Sequence, residues 1–202
     1  MTIYKGKRIV DIEYKIIIKQ GNLINEDNAD IVVNPSNTVL MLGSGVSMAF
    51  HKHCGNELQT EMNQLLSDIH SAGKDLKKGD VVSSTSGKAR NFKCVFHAAI
   101  MDYRPGTNYK DKNPVLSDII TCLKNIEKNI VDYSELYSRK NITLAIPLMG
   151  CGHGDLNKHD VIRLYDDFFN NGVKSSVLKC KVIIYGYTKY DHDLLGTWAW
   201  KD

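Results

Sequence analysis

Two glycine-rich turns constrain this chain more than any other feature. The run Ile31-Val32-Val33 leads through Asn34-Pro35-Ser36-Asn37 into Gly43-Ser44-Gly45, followed by Val46, Ala49 and Phe50 at helical spacing. Later, the apolar run from Ile142 to Leu148 leads into Gly150-Cys151-Gly152-His153-Gly154, and a helical pattern follows over 158–170. A short unbroken apolar run is the mark of a strand buried on both faces. Strand, glycine turn and helix in succession build an α/β layer, with each turn at the carboxyl edge of the sheet. Two such turns in a parallel layer open on the same edge. Their backbone N–H groups and the positive helix ends suit anions, and a facing pair suits two neighbouring phosphates.

Better-known phosphate loops are excluded. No lysine follows Gly45 in the turn, as a nucleoside-triphosphate loop requires, and Met48 stands where a dinucleotide fingerprint needs its third glycine. Pro35 is expected to end the first strand, which gathers the amides of Asn34 and Asn37 at its carboxyl end.

The remaining pattern alternates strands and helices. Residues 8–12 and 14–18 read as a first hairpin or edge pair, followed by a turn at Gly21-Asn22-Leu23-Ile24. A helix from Gly45 is expected to stop at Gly55, and Asn56 to cap a second one with the stripe Leu58, Met62, Leu65, Leu66 and Ile69. Strands are expected over 80–85, 93–99, 142–148 and 181–187, and a helix with Pro114 in its first turn and Val115, Leu116, Ile119, Ile120, Leu123 and Ile126 on its apolar face. The last fifteen residues, with Trp198 and Trp200, are expected to pack back as a short tail. This is an α/β layered domain with a mostly parallel sheet, mixed because of its hairpin-like start.

At 202 residues the chain is long enough for one domain with a full core. The net charge of +3, with lysines scattered along the chain, argues against a dedicated nucleic-acid binder. No apolar run reaches membrane-span length, and the N-terminus lacks a signal-peptide apolar region. Five cysteines without a Cys-x-x-Cys pair read as reduced thiols, which suits a cytoplasmic protein. His51 and Cys54 lie one helical turn apart, but no second pair completes a metal shell, so neither metal nor cofactor is expected.

Five motifs, in order, resemble those of the macro domain family, which binds ADP-ribose and ADP-ribosyl groups. They are Val33-Asn34-Pro35-Ser36-Asn37, Leu42-Gly43-Ser44-Gly45-Val46, Gly79-Asp80-Val81-Val82, Val95-Phe96-His97-Ala98 and Ile146-Pro147-Leu148-Met149-Gly150-Cys151-Gly152. The similarity spans about 14–187 and implies a single domain over 1–202. The implied fold is a three-layer α/β/α sandwich with a mixed, mostly parallel sheet of six to seven strands.

The resemblance also assigns roles. Asn37 is similar to the asparagine that bonds the distal ribose; Gly43, Ser44, Gly45 and Val46 to the first phosphate loop; and Gly150, Cys151, Gly152 and His153 to the second. Ser47 stands where one hydrolase branch has an aspartate, and Gly154 where an aromatic caps the distal ribose. Asn22, before Leu23, replaces the aspartate that reads the adenine, and Tyr185 or Tyr187 is placed to pack on the base. Asn34 joins this ligand-binding set. Another branch reads Gly-Cys-Gly-x-Asp with a nearby lysine; here Asp155 comes one position late and 97–102 holds no lysine, so lysine attack on the sugar is not expected.

The candidate catalytic residues are therefore Asn37, Asp155 and His51, with His153 a further proton carrier and Asp155 alternatively a helix cap. The implied partner is ADP-ribose or an ADP-ribosylated substrate, taken up by a monomer. Three activities follow as alternatives: hydrolysis of ADP-ribosyl derivatives (a modified side chain, an O-acetyl ester or a 1″-phosphate), reading without turnover, or binding of RNA or poly(ADP-ribose).

Overall fold

The computed structural model describes residues 11–43, 45–170 and 176–198. Six strands form one sheet: β1 (Ile12–Gln20), β2 (Ile31–Asn37), β3 (Val81–Thr85), β4 (Cys94–Met101), β5 (Asn141–Pro147) and β6 (Leu178–Gly186). Their order is β1-β6-β5-β2-β4-β3, and every neighbouring pair is parallel except β3 with β4. The helices are α1 (Gly45–Ser71), α2 (Tyr109–Lys112), α3 (Leu116–Tyr137), α4 (Lys158–Asn170) and α5 (Lys189–Gly196), with a 3₁₀ turn at Leu23–Asn25.

Alternate residues of the central strands feed two separate cores. Ile31 and Val33 of β2 join Phe96, Ala98 and Ile100 of β4 against α3 and α4, while Val32, Val95 and Ala99 face Phe50, Leu58 and Met62 of α1. Both faces of the sheet are thus covered, which is why these strands read as continuous apolar runs. The result is the expected three-layer α/β/α sandwich on a mixed, mostly parallel sheet.

Three local expectations are corrected and a fourth is extended. Residues 14–18 are not the second arm of a hairpin: β1 runs unbroken from Ile12 to Gln20, parallel to β6, and the sheet is mixed because of β3. Residues 8–10 lie outside the described residues. Pro35 does not end β2, which continues to Asn37 opposite β4. Past Val32, β2 has left β5 and is paired on one side only, where a residue without an N–H is tolerated. Pro114 lies outside α3; Val115 is the N-cap, and its N–H donates to the Asp118 carboxylate at 2.9 Å. Finally, the expected tail contains α5, whose start is fixed by Thr188: its Oγ1 accepts from the Asp191 N–H, and the Asp191 carboxylate accepts from the Thr188 N–H. Trp198 then packs on the α3–α4 core, and Trp200 lies outside the described residues.

The break expected at Gly55 is present. Its φ of 78° and ψ of −178° interrupt α1 within an otherwise helical stretch.

Candidate functional site

β2 and β5 pair only at Ile31–Leu144 and Val32–Ala145 and then diverge. The carboxyl ends of the two strands therefore flank an opening, the position where an open α/β sheet offers a crevice. Both glycine turns border it. One chamber, of about 190 Å³, is lined by Ser36, Asn37, Met41, Gly43, Gly45, Ser47, Tyr103, Gly150, His153 and Gly154 among others. A second, of about 460 Å³, is lined by Asn22, Leu23, Ala49, Cys151, Lys158, Tyr185, Tyr187, Thr188 and Asp191 among others. Gly45, Val46, Leu148 and Gly152 border both chambers and form a waist between them.

The waist is rich in hydrogen-bond donors. Gly45 and Val46 open the long helix α1, whose first four N–H groups have no intrahelical acceptor. Across the opening, the N–H groups of Gly152, His153 and Gly154 find no acceptor among the described residues. The second turn is held by other bonds: Leu156 N–H to the Gly150 carbonyl and Asp155 N–H to the Gly152 carbonyl, both at 3.0 Å. Gly150 takes a φ of 81°, and a side chain there would meet Leu156. The His153 ring approaches the first turn, with Nδ1 3.5 Å from where a Cβ on Gly45 would lie. Two N–H-rich turns bordering one narrow opening are an arrangement that suits neighbouring anionic groups.

Several assigned residues hold the frame instead of facing the chambers. Asn34 is fully buried and absent from both linings. Because β2 continues beyond it, Asn34 lies inside the sheet; its Nδ2 donates to His97 Nδ1 at 3.1 Å and its Oδ1 accepts from the Ser47 hydroxyl at 3.0 Å. His97 Nε2 in turn donates to Ser84 Oγ at 2.8 Å, and Ser84 donates to the Thr85 carbonyl. This chain fixes the neutral imidazole, whose pKa burial pushes down to about 3. Ser47 therefore borders the first chamber with its proton already committed to Asn34 or to the Pro35 carbonyl, both at 3.0 Å.

Asn37 does line the first chamber, while its amide also shapes the loop. Nδ2 donates to the Met41 carbonyl at 2.9 Å, and Oδ1 accepts from the N–H groups of Val39 and Met41. Asp155 borders neither chamber. With φ at 55° its side chain leaves the turn, and Asn157, not Asp155, caps α4 by accepting from His159 N–H at 2.9 Å. His51 is also elsewhere, paired with Asn56 at 2.9 Å beside Lys52, Glu57 and Lys88. Gly154 is buried, and a Cβ there would stand 2.6 Å from Pro114 Cγ and 2.7 Å from the Gly150 oxygen. Ser44 lies outside the described residues.

In the second chamber, Asn22 and Leu23 face Tyr185 and Tyr187. Asn22 Oδ1 accepts from Ile24 N–H at 3.3 Å. The Tyr185 hydroxyl donates to Glu26 at 2.5 Å, so the ring is fixed as a wall. Burial pushes the Glu26 carboxyl up, but the Lys19 ammonium at 2.6 Å and Tyr185 outweigh it and hold its pKa below the usual value. Cys151 borders this chamber as a protonated thiol, since burial pushes its pKa up to about 12.

Sequence reasoning missed Met41, Tyr103, Lys158, Thr188 and Asp191. Tyr103 follows the end of β4 and Lys158 opens α4, so the ends of neighbouring elements were the available signal. Lys158 pairs with Asp191 at 2.5 Å and stands over the Tyr190 ring, 5.4 Å from its centroid.

Comparison with known proteins agrees with this geometry. The family model of the macro domain matches residues 33–165. The chain belongs to the macro domain family. An uncharacterized protein of Aquifex aeolicus is 26% identical over 140 residues, covering 69% of this chain and 72% of its own length. Among solved structures, this macro domain superposes on a variant of the Oceanobacillus iheyensis macrodomain with ADPR at TM-score 0.67 and 17% identity, covering 90% of each chain. It superposes on the macrodomain of Mycobacterium tuberculosis DarG at TM-score 0.64 and 20% identity, covering 86% of this chain and 99% of that one. A Trypanosoma brucei macrodomain in complex with ADP gives TM-score 0.65 at 14% identity, over 90% of this macro domain and 67% of the other.

Proposed function

We propose that this chain binds ADP-ribose, or an ADP-ribosyl group carried by a modified partner, and reads it without rapid hydrolysis. The observation that carries this reading is the shared waist. Two N–H-rich turns from different strand–helix units border both a larger chamber walled by Tyr185 and Tyr187 and a smaller one where Ser36, Asn37 and His153 stand among apolar side chains. The diphosphate lies at the waist, the adenosine in the Asn22–Tyr185 chamber and the distal ribose beside Asn37. Solved relatives of this fold named with ADPR and with ADP support the same reading.

Recognition is favoured over turnover by the make-up of the distal chamber. Its lining includes no carboxylate, because Asp155 turns away and Ser47 is tied to Asn34. A specific observation favours slow hydrolysis as a second reading: the exposed His153 imidazole faces this chamber and is placed to carry a proton.

Calorimetric titration with ADP-ribose, together with release of ADP-ribose from a mono-ADP-ribosylated protein, tests both. Saturable binding with no release over hours is the expected result. Release that disappears in His153→Ala establishes the second reading, and failure of ADP-ribose to bind sinks the first.

The base site offers a separate measurement. Asn22 lines the chamber and accepts from Ile24 N–H through Oδ1, while its amino group has no hydrogen-bond partner among the described residues. In Asn22→Asp a charged oxygen replaces that amino group and accepts from the adenine amine. ADP-ribose affinity is expected to rise about three- to tenfold by calorimetry, the size of one charge-assisted hydrogen bond.

A further inference from the structure

We infer that Tyr103 and Met41 form a pair of jaws on the distal chamber, and that they select a diphosphate bearing a second sugar over a plain nucleoside diphosphate. The inference rests on the diphosphate reading above and specifies what lies beyond it. Both residues line the smaller chamber, and both are large apolar side chains left open, Met41 at 60% and Tyr103 at 42% exposure.

Neither sits on a loose loop. The Asn37 amide holds the Met41 backbone at both its N–H (3.1 Å) and its carbonyl (2.9 Å). The next residue, Thr38, accepts from Tyr103 N–H at 3.0 Å and donates to Asp102 at 2.9 Å. Asp102 is clamped in turn by Arg104, at 2.6 Å through Nη2, and the guanidinium holds its carboxyl well below the usual range. Consecutive residues at the end of β2 thus fix the backbones of two exposed apolar side chains on one rim. Exposed apolar groups on a fixed backbone are ready to cover an apolar face with little ordering cost.

The face they suit is that of a sugar ring, whose C–H side packs on an aromatic ring while its hydroxyls reach Asn37 and the waist. Gly154, across the chamber, has no room for a covering side chain because Pro114 and the Gly150 carbonyl fill the space. Coverage of the second sugar therefore comes from the β2 and β4 ends.

The test is calorimetry of the full chain with ADP-ribose and with ADP, which differ by that sugar. ADP-ribose is expected to bind the wild type more tightly than ADP. Tyr103→Ala should lose about five- to tenfold in ADP-ribose affinity, the worth of burying roughly 50 Å² of apolar surface. Its ADP affinity and thermal midpoint should be unchanged, Tyr103→Phe should match the wild type for both ligands, and Met41→Ala should act as Tyr103→Ala does, with a smaller loss. ADP and ADP-ribose losing equally in Tyr103→Ala, or no loss in either, overturns the jaws while leaving the diphosphate seat intact. Failure of both ligands to bind the wild type overturns the diphosphate reading and this inference together.

Discussion

Acidification from pH 6.5 to 4.5 is expected to destabilise this fold by about 2 kcal/mol through His97 alone. The imidazole is completely buried, and burial lowers its pKa to about 3, against about 6.5 in an unfolded chain. Between those values the unfolded state binds the extra proton and the folded state does not. The stabilising contribution is therefore complete above pH 6.5 and falls as the pH drops toward 3. Neither side of the ring receives the proton freely, because Nδ1 already accepts from Asn34 and Nε2 already donates to Ser84. Protonation requires the Asn34 amide to turn over, which takes away the acceptor that holds Ser47 at the start of α1. Denaturant unfolding at a series of pH values measures the slope. A profile flat to pH 4.5, or one unchanged in His97→Gln, contradicts this account.

The second large effect is expected from Gly154→Phe. In place of this glycine the family pattern has an aromatic, so sequence comparison alone suggests a gain of contact with the distal ribose. The structure argues the reverse. A Cβ would meet Pro114 and the Gly150 carbonyl, and that same oxygen accepts from Leu156 to hold the turn in shape. Room for a ring exists only if the 150–154 turn moves, and its N–H row then no longer faces the start of α1. Losing two or three charge-assisted hydrogen bonds weakens ADP binding by about a hundredfold, or about 3 kcal/mol. Calorimetry with ADP is the measurement, since in the proposed binding mode ADP stops at the waist and leaves the distal chamber empty. Wild-type ADP affinity in Gly154→Phe would show that the turn tolerates the ring.

These effects mark where sequence was a good guide and where it was not. The strand–glycine–helix units announced themselves through local composition, because apolar runs and glycines report burial and backbone shape directly. Which way a side chain points is a different kind of information. His51 lies in the first turns of α1, but five residues beyond Val46 it has rotated about 140° around the helix and left the chamber. Asp155 adjoins Gly154, yet one residue at positive φ is enough to turn it out. In sequence Asn34 is a strand-end amide, because a proline following it is expected to stop β2; the loss of β5 as a neighbour lets the strand run on and keeps Asn34 inside. Tyr103 and Met41 are ordinary loop residues in sequence, and only the pairing of β2 with β4 brings them to one rim.

The early parting of β2 from β5 also governs how the cleft yields. Three strands, β1, β6 and β5, meet the other three along a seam stitched at Ile31 and Val32 and pinned below by Asp30, whose N–H reaches the Thr143 oxygen at 2.9 Å and whose carboxylate takes the Thr143 N–H at 3.0 Å. Above that seam no ladder bond spans the gap, so its width is set by side-chain packing. A bulkier guest there would meet side chains and no ladder bond until it reached Ile31 and Val32.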